Sequence, residues 1–550
     1  LAWAPLVRGE GGSKPFDEET LAALVAARPG EREPARHEAV HALQQRALAA
    51  AHAGFRAALA APGEAGAAAR AQAGRLAAFA ERESFWLERY VLYEALAELH
   101  GCDHRNGWPA AGPDCRRWEP AQATVAGERA AALRWAHAER IERYRFGQLL
   151  AHEQHERVRA RAAALGLRLL GDLQIGVADR DRWAWPDAFL AGYWLGAPPS
   201  RTNPDGQPWG HPVLDPTRFG EGGPASAFLA RRAGKLFAEF DGLRIDHPHG
   251  LVDPWVYRSD DPDPLHAVQH GARLFGAPDL PDHPALAAFA IASRGDLSAD
   301  PRTPRWADDW VVRLGEDQVD RYAAAFDALL ETARRAGRRE QDVACEVLST
   351  LPYPLARVLA RHGLGRFRVT QKADPADPRD VYRSEQAAPE DWVMIGTHDT
   401  PPIWLRVDEW LHDGSAPARA RRLAERLAPA ERERAPLADA LARDPGLLAQ
   451  AHLAELFASR ARHVLVFFTD LFGIAEVYNA PGTVSDANWS LRLPASWQGD
   501  YAQRLAGGHA LSLPRALALA LRARGSGAHA GLIARLESEA LAEPRALLTG

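Results

Sequence analysis

Cysteine is nearly absent from this 550-residue chain: Cys102, Cys115 and Cys345 are its only three. Three thiols cannot build the disulfide framework of a secreted protein, so a reducing compartment, the cytoplasm, is expected. Cys102, His104 and Cys115 lie close in sequence, but a structural zinc takes four ligands. A polar loop is the simpler reading, and neither a metal nor a cofactor is expected. Long apolar runs are missing as well. No stretch of eighteen or more apolar residues occurs, and the opening Leu-Ala-Trp-Ala-Pro has no basic n-region and no apolar h-region. Neither a membrane span nor a signal peptide is expected. An excess of positive charge is lacking too: Lys plus Arg is 66 against 72 for Asp plus Glu, a net charge of −6. Nucleic acid and anionic membrane are therefore not the expected partners. Lysine occurs only at Lys14, Lys235 and Lys372, which fits codon bias toward alanine and arginine. The one methionine is Met394 and the chain starts at Leu1, so the natural N-terminus is expected upstream.

What is present is ordinary for a globular protein: 47% hydrophobic and 25% charged residues. Length alone suggests roughly three or four domain-sized units. Residues 1–165 read as a mainly helical region. Segments 35–60, 67–100 and 125–165 are rich in Ala, Leu, Arg and Glu with apolar residues three to four apart, and the Pro/Gly-rich stretch 101–120 interrupts them. From about residue 166 short apolar runs alternate with helical segments such as 318–336, 354–362 and 416–427. The runs are 167–177, 242–247, 343–349, 367–371, 393–399 and 464–470. Short, largely apolar strands are those of a parallel sheet buried on both faces. Strands alternating with helices over this length predict an α/β fold of the TIM (β/α)8 barrel type with inserted helical subdomains. Only six such strands are legible, so two are expected to be missing from this chain. Residues 166–550 would form the catalytic region, with an insertion at about 179–235.

In such a fold the chemistry gathers at the C-terminal ends of strands. Three runs carry a carboxylate there: Asp246 in GLRIDH, Glu346 in VACEVLS and Asp399 at the end of VMIGTHD. Adjacent strands lie about 4.8 Å apart. Carboxyls on neighbouring strand ends can thus approach about 5–5.5 Å, the separation a retaining glycosidase uses. Asp246 and Glu346 suit that geometry if no further strand lies between theirs, and Asp399 would face them. An isolated aspartate at a strand end is commonly a helix cap; three carboxylates with Arg244 and His398 beside them make a stronger pattern. Arg244 and Asp246 are two apart and share a strand face, where a guanidinium would keep the carboxylate ionised and aimed.

These residues also carry a family resemblance. The chain is similar to the 4-α-glucanotransferases, the amylomaltases or disproportionating enzymes of glycoside hydrolase family 77 in the α-amylase clan. Residues 171–177 (GDLQIGV) resemble the family's G-D-L-P-I-Y-V, and 181–186 (DRWAWP) its D-V-W-A-N-P. Residues 196–199 (GAPP) and 206–212 (GQPWGHP) resemble G-x-P-P and G-Q-x-W-G-N-P. Residues 244–247 match R-[IL]-D-H, 396–399 match G-T-H-D, and 478–483 with Asn488-Trp489 resemble N-x-P-G-T … N-W. The blocks keep family order from about residue 70 to 495.

The resemblance implies a barrel core, a retaining double displacement and α-1,4-glucan substrates: maltooligosaccharides and chains derived from starch or glycogen. It implies Asp246 as nucleophile, Glu346 as general acid and then base, and Asp399 as a partner of the sugar hydroxyls and the oxocarbenium-like transition state. Arg244, His247 and His398 would orient these groups, Gln207 and Trp209 would line the glucan groove, and Asp172 and Asn479 would join the substrate-binding set. In the family the two missing strands precede the helical region. Departures are local. Glu346 is followed by Val347-Leu348-Ser349 where the family has D-L-G; D-H-F-R-G becomes Asp246-His247-Pro248-His249-Gly250; Asp399 is followed by Thr400-Pro401; Val477 stands at the usual arginine. The alternatives are an α-glucan hydrolase, a maltooligosyl trehalose synthase-like enzyme, or a catalytically impaired glucan-binding homologue. Tryptophan is plentiful, at 17 residues. Trp183, Trp185, Trp209, Trp255 and Trp489 are candidate sugar platforms, with core packing as the alternative for each.

Overall fold

The computed structural model describes residues 18–27, 30, 33–102, 108, 127–200, 203–220, 222–525 and 529–549. His104 and Cys115 lie outside the described residues. Cys102 is a free thiol, and its backbone carbonyl accepts a hydrogen bond from Trp108 Nε1 at 2.7 Å. The described residues fall into two compact units: those within Leu1–Arg28 and His37–Asp342, and those within Pro29–Arg36 and Val343–Gly550.

The first unit begins with helices. The expected segment 35–60 is the helix His37–Leu59, whereas 67–100 is divided into Gly63–Arg82 and Ser84–His100, and 125–165 into Glu128–Ala136 and Ala138–Ala164. Neither break carries proline or glycine, so periodicity alone could not locate them. At the first, the Glu83 carboxylate accepts from Trp86 Nε1 at 2.8 Å across the junction. Helix Ser84–His100 is buried continuously from Val91 to Ala97. It packs in one core with Ile141, Leu149, Trp183, Trp185 and Phe228. Burying each such large side chain is worth about 1.5–3 kcal/mol, and this core anchors the segment that follows the first strand.

That strand, β1 (Leu170–Leu173), pairs in parallel with β4 (Gly242–Ile245). Between them in sequence run β2 (Phe189–Ala197) and β3 (Gln207–Leu214), and after them β5 (Trp255–Arg258) and β6 (Ala272–Arg273). These four make an antiparallel sheet in the order β3-β2-β5-β6 that the sequence reading did not contain. Its strands hold Gly192 at φ 84° and Gly210 at φ 69°, and β2 and β3 shift register against each other, so no clean alternation survives. Gly242 opens β4 for a steric reason: a Cβ there would lie 2.4 Å from the Asp342 carbonyl oxygen. Helix Glu316–Arg335, close to the expected 318–336, has Glu316 and Asp317 in its first turn and Arg334 and Arg335 in its last, charges that complement the helix dipole.

The second unit contains β7 (Val343–Cys345), β8 (Phe367–Val369), β9 (Trp392–Met394) and β10 (His463–Leu465). β8, β9 and β10 are parallel, with β9 in the centre. Each of the six expected strand segments therefore overlaps a strand shorter than its apolar run, with β9 and β10 starting one residue before theirs. The largest difference is in 464–470, where the strand ends at Leu465 and Phe468–Leu471 is a helical turn. There Asp470 is buried and accepts from Ile403 N at 2.7 Å, so it caps helix Ile403–His412; desolvation pushes its carboxyl up to about 7.

Packing of the helices in this unit encloses an ion pair. Arg422 Nη1 and Nη2 donate to Glu455 Oε2 and Oε1, each at 2.8 Å, and Ser384 Oγ donates to Oε2 at 2.9 Å. Burial alone would raise the Glu455 carboxyl, but the Arg422 guanidinium and His452 hold it well below the usual range. Its contribution is thus full above pH 4.5 and is lost as the pH falls toward the depressed value. Arg422→Met is expected to cost about 3–5 kcal/mol, because it strands a buried charge. Thermal unfolding at neutral pH checks this; a loss below about 1 kcal/mol would mean that Glu455 finds another partner. Among the described residues, no helix is long and apolar enough to cross a membrane.

Candidate active site

In the first unit the site residues are built on the parallel pair. β1 and β4 pair in a register that sets Asp172 opposite Arg244. The guanidinium bridges two carboxylates: Nη1 donates to Asp172 Oδ1 at 2.7 Å and Nη2 to Asp246 Oδ1 at 3.2 Å. Asp246 N donates to the Leu173 carbonyl at 3.0 Å, so the ladder runs one residue past β4 and stops there. The next residue, His247, has φ 41°. This left-handed conformation costs a non-glycine residue on the order of 1–3 kcal/mol and is found disproportionately at functional sites. Its Nδ1 lies 3.1 Å from Asp246 Oδ1, a donor distance when Nδ1 carries the proton.

β3 supplies the neighbouring groups. The Trp209 ring meets the His247 ring edge-on at 5.2 Å, and Trp209 Nε1 donates to Gln207 Oε1 at 2.9 Å. His211, part of the GQPWGHP motif but given no role from sequence, also belongs here. Burial pushes its imidazole pKa down while Asp246 pushes it up, with a net lowering, so at neutral pH it is uncharged. Its ring packs so close to Gly176 that a Cβ there would lie 2.5 Å from Nε2. Asp172 additionally lines a cavity of about 280 Å³ with Phe85, Trp86, Tyr90, Trp185 and Lys235. In this unit, then, Asp172, Gln207, Trp209, Arg244, Asp246 and His247 form one connected cluster.

In the second unit Glu346 follows directly on β7. A hydrogen bond from Val347 N to the Cys345 carbonyl at 2.9 Å closes a three-residue turn around it, and the residue is only 3% exposed. The departing residue Val347 is fully buried, so the apolar residue next to Glu346 is absorbed as core. Asp399 lies beyond β9 in a short turn held by the departing Thr400: Thr397 N donates to Thr400 Oγ1 at 2.8 Å, and that hydroxyl donates to the Thr397 carbonyl at 3.0 Å. Asn479 Nδ2 donates to Asp399 Oδ1 at 2.6 Å, and His398 Nε2 lies 3.4 Å from Asp399 Oδ2. The Trp489 ring sits 5.3 Å from His398, with φ 62° at Trp489 and close to half of its surface exposed.

Of the candidate platforms, Trp209 and Trp489 are partly or largely exposed beside site histidines. Trp183, Trp185 and Trp255 are buried at 9%, 9% and 1% exposure. Trp255 serves the core, with Nε1 donating to the Val268 carbonyl at 2.9 Å. Lys372, like His211, was given no role from sequence; its ammonium is pushed down by burial and pushed up by Asp399 and Glu346. Its rarity as a lysine was the only signal available.

A sequence model of the family described as 4-alpha-glucanotransferase matches residues 16–496. A 4-alpha-glucanotransferase of Thermus thermophilus is 35% identical over 192 residues, 32% of this chain and 35% of that protein. One of Chlamydia muridarum is 25% identical over 257 residues, 42% of this chain and 45% of its own length. The chain thus spans between about a third and a half of these curated relatives. Among solved structures, the amylomaltase of Streptococcus agalactiae in complex with acarbose superposes with a TM-score of 0.61 at 18% identity, covering 89% of this chain and 79% of the other. The amylomaltase of Corynebacterium glutamicum gives 0.56 at 17% identity, covering 95% and 63%. At those identities the likeness establishes a shared α/β fold.

Proposed function

The chain belongs to the 4-alpha-glucanotransferase family, and on that premise we propose that it moves α-1,4-glucan segments between maltooligosaccharides by a retaining double displacement. Asp246 attacks the anomeric carbon of the donor while Glu346 protonates the glycosidic oxygen. The C–O bond breaks, the reducing-end segment leaves with that proton, and a glucosyl ester forms on Asp246. Glu346, now a carboxylate, removes the proton from the acceptor's 4-hydroxyl. That oxygen displaces Asp246 and restores an α linkage. Arg244 and His247 aim Asp246, while Asp399, with Asn479 and His398, contacts sugar hydroxyls. Asp172, Gln207 and Trp209 line the groove, which the insertion at about 179–235 walls. The parallel strands are assigned to a (β/α)8 barrel carrying residues 166–550, with residues 1–165 as a helical subdomain, and the scarcity of cysteine supports action in the cytoplasm.

The observation that carries the reading is the Arg244 fork holding Asp246 and Asp172 at once, on a strand whose ladder ends at Asp246. A carboxylate held by a guanidinium that a second carboxylate anchors, beside a strained residue, is preorganised for attack. Substrates are maltooligosaccharides or starch- and glycogen-derived α-glucans. Incubation with maltotriose tests the activity: transfer yields glucose together with maltodextrins longer than the substrate. Glucose and maltose alone would make it a hydrolase, a trehalose-type terminus would make it a synthase, and unchanged maltotriose bound to the protein would leave a binding homologue.

A further inference from the structure

The segment that brings Asn479 to Asp399 is an exposed loop on an ordered stem. Tyr478 and Trp489 form the stem: Trp489 N donates to the Tyr478 carbonyl at 2.9 Å, and their rings meet edge-on at 5.3 Å. Tyr478 is fixed in turn by Phe467 and Phe468, whose ring centroids lie 5.7 and 5.5 Å from its own. Past Trp489 the chain is anchored again, since Ser490 is buried and its carbonyl accepts from Ala35 N at 2.8 Å. Every residue from Ala480 to Ala487 is exposed, so no buried apolar side chain holds the loop in shape.

Polar bonds hold it instead, and they converge on one side chain. Asn488 Oδ1 accepts from Ala480 N at 3.1 Å, and Asn488 Nδ2 donates to the Thr483 carbonyl and to Thr483 Oγ1, each at 3.1 Å. The amide can face only one way, because Ala480 N is solely a donor and the Thr483 carbonyl solely an acceptor. Around Asn479 the consequence is specific. The peptide group before it is held at the Tyr478 carbonyl, and the one after it at Ala480 N. With both flanking peptides fixed, the Asn479 backbone has little freedom left, and its Nδ2 stays on Asp399 Oδ1 at 2.6 Å.

We propose that Asn488 is a positioning residue of the candidate site: its side chain clamps the loop so that Asn479 holds Asp399 in the orientation that meets the sugar hydroxyls. This rests on the reading of Asp399 as a substrate-binding carboxylate. Without the clamp, Asn479 would sit on a loop that has to be ordered anew in each catalytic cycle, at a cost in conformational entropy.

The experiment is a double-mutant cycle on the full chain: Asn488→Ala, Asn479→Ala and the two together, assayed on maltotriose. Each single substitution is expected to lower kcat/KM by about 10- to 100-fold, the loss that follows a misplacement on the order of 1 Å at a reacting site. Most of that loss should lie in kcat. The double variant should match Asn479→Ala within about threefold, because residues that act as one unit are not additive. Thermal unfolding should move by less than about 2 °C, since residues 480–487 add nothing to the core. Hydrogen exchange of the peptide spanning 478–489 is a readout that needs no turnover, and Asn488→Ala should speed it about tenfold or more. Losses that multiply in the double variant overturn the assignment, and so does unchanged exchange. A fall in Tm that accounts for the lost rate does the same and makes Asn488 a structural residue. If Asn479→Ala is impaired while Asn488→Ala stays within about twofold of the unaltered chain, only the Asn488 assignment falls. If Asn479→Ala itself leaves the rate intact, the reading of Asp399 and its partner falls and takes this inference with it.

Discussion

Asp246→Asn is expected to lower glucan transfer by a factor on the order of 10⁴–10⁶, with the fold intact. The substitution removes the nucleophile's charge and keeps its shape. Arg244 remains held by Asp172 at 2.7 Å, so β4 and its strained continuation at His247 keep their support. The loss should appear in kcat, with maltotriose affinity reduced far less, because the bond to the anomeric carbon exists only in the transition state and the intermediate. Thermal unfolding measured alongside should shift little. Near-normal turnover in Asp246→Asn would reassign the nucleophile; a collapse in stability equal to the loss of rate would make Asp246 a structural partner of Arg244.

Glu346→Gln is expected to cost about 10²–10⁴ in kcat/KM on maltotriose, the range of a general acid's contribution. A donor whose leaving group needs no proton, such as an α-glucosyl fluoride, should recover most of the first step. It should not recover the second, which needs Glu346 as base to deprotonate the acceptor. The outcome is a burst of fluoride followed by a slow steady state. Equal impairment on activated and unactivated donors would remove Glu346 from proton transfer.

The sequence revealed what is local and periodic. The run at Val343–Cys345 stands out because both of its faces are buried and apolar residues run on without polar interruption. Arg244 and Asp246 were readable as a pair because two residues apart on a strand means one face. What lay beyond reach depends on partners distant in the chain. That Arg244 spans to Asp172 follows from the β1–β4 register, which neither strand's sequence states. The antiparallel sheet was hidden by its glycines, prolines and register shifts. The helix breaks at Glu83 and His137 come from side-chain and packing choices without a breaker residue. Asp470 read as a strand end and caps a helix 67 residues earlier. The departures that set this chain apart from its family are filled by ordinary chemistry: Val347 by burial and Thr400 by a hydroxyl that ties its own turn.

The most direct measurement is mass spectrometry of Glu346→Gln after exposure to an α-glucosyl fluoride without acceptor. The mechanism requires a covalent glucosyl-enzyme that forms and then persists, so digestion should yield one peptide enlarged by a glucosyl residue, esterified at Asp246. Absence of any adduct while fluoride is released, or a sugar attached to a different carboxylate, would contradict the double displacement through Asp246.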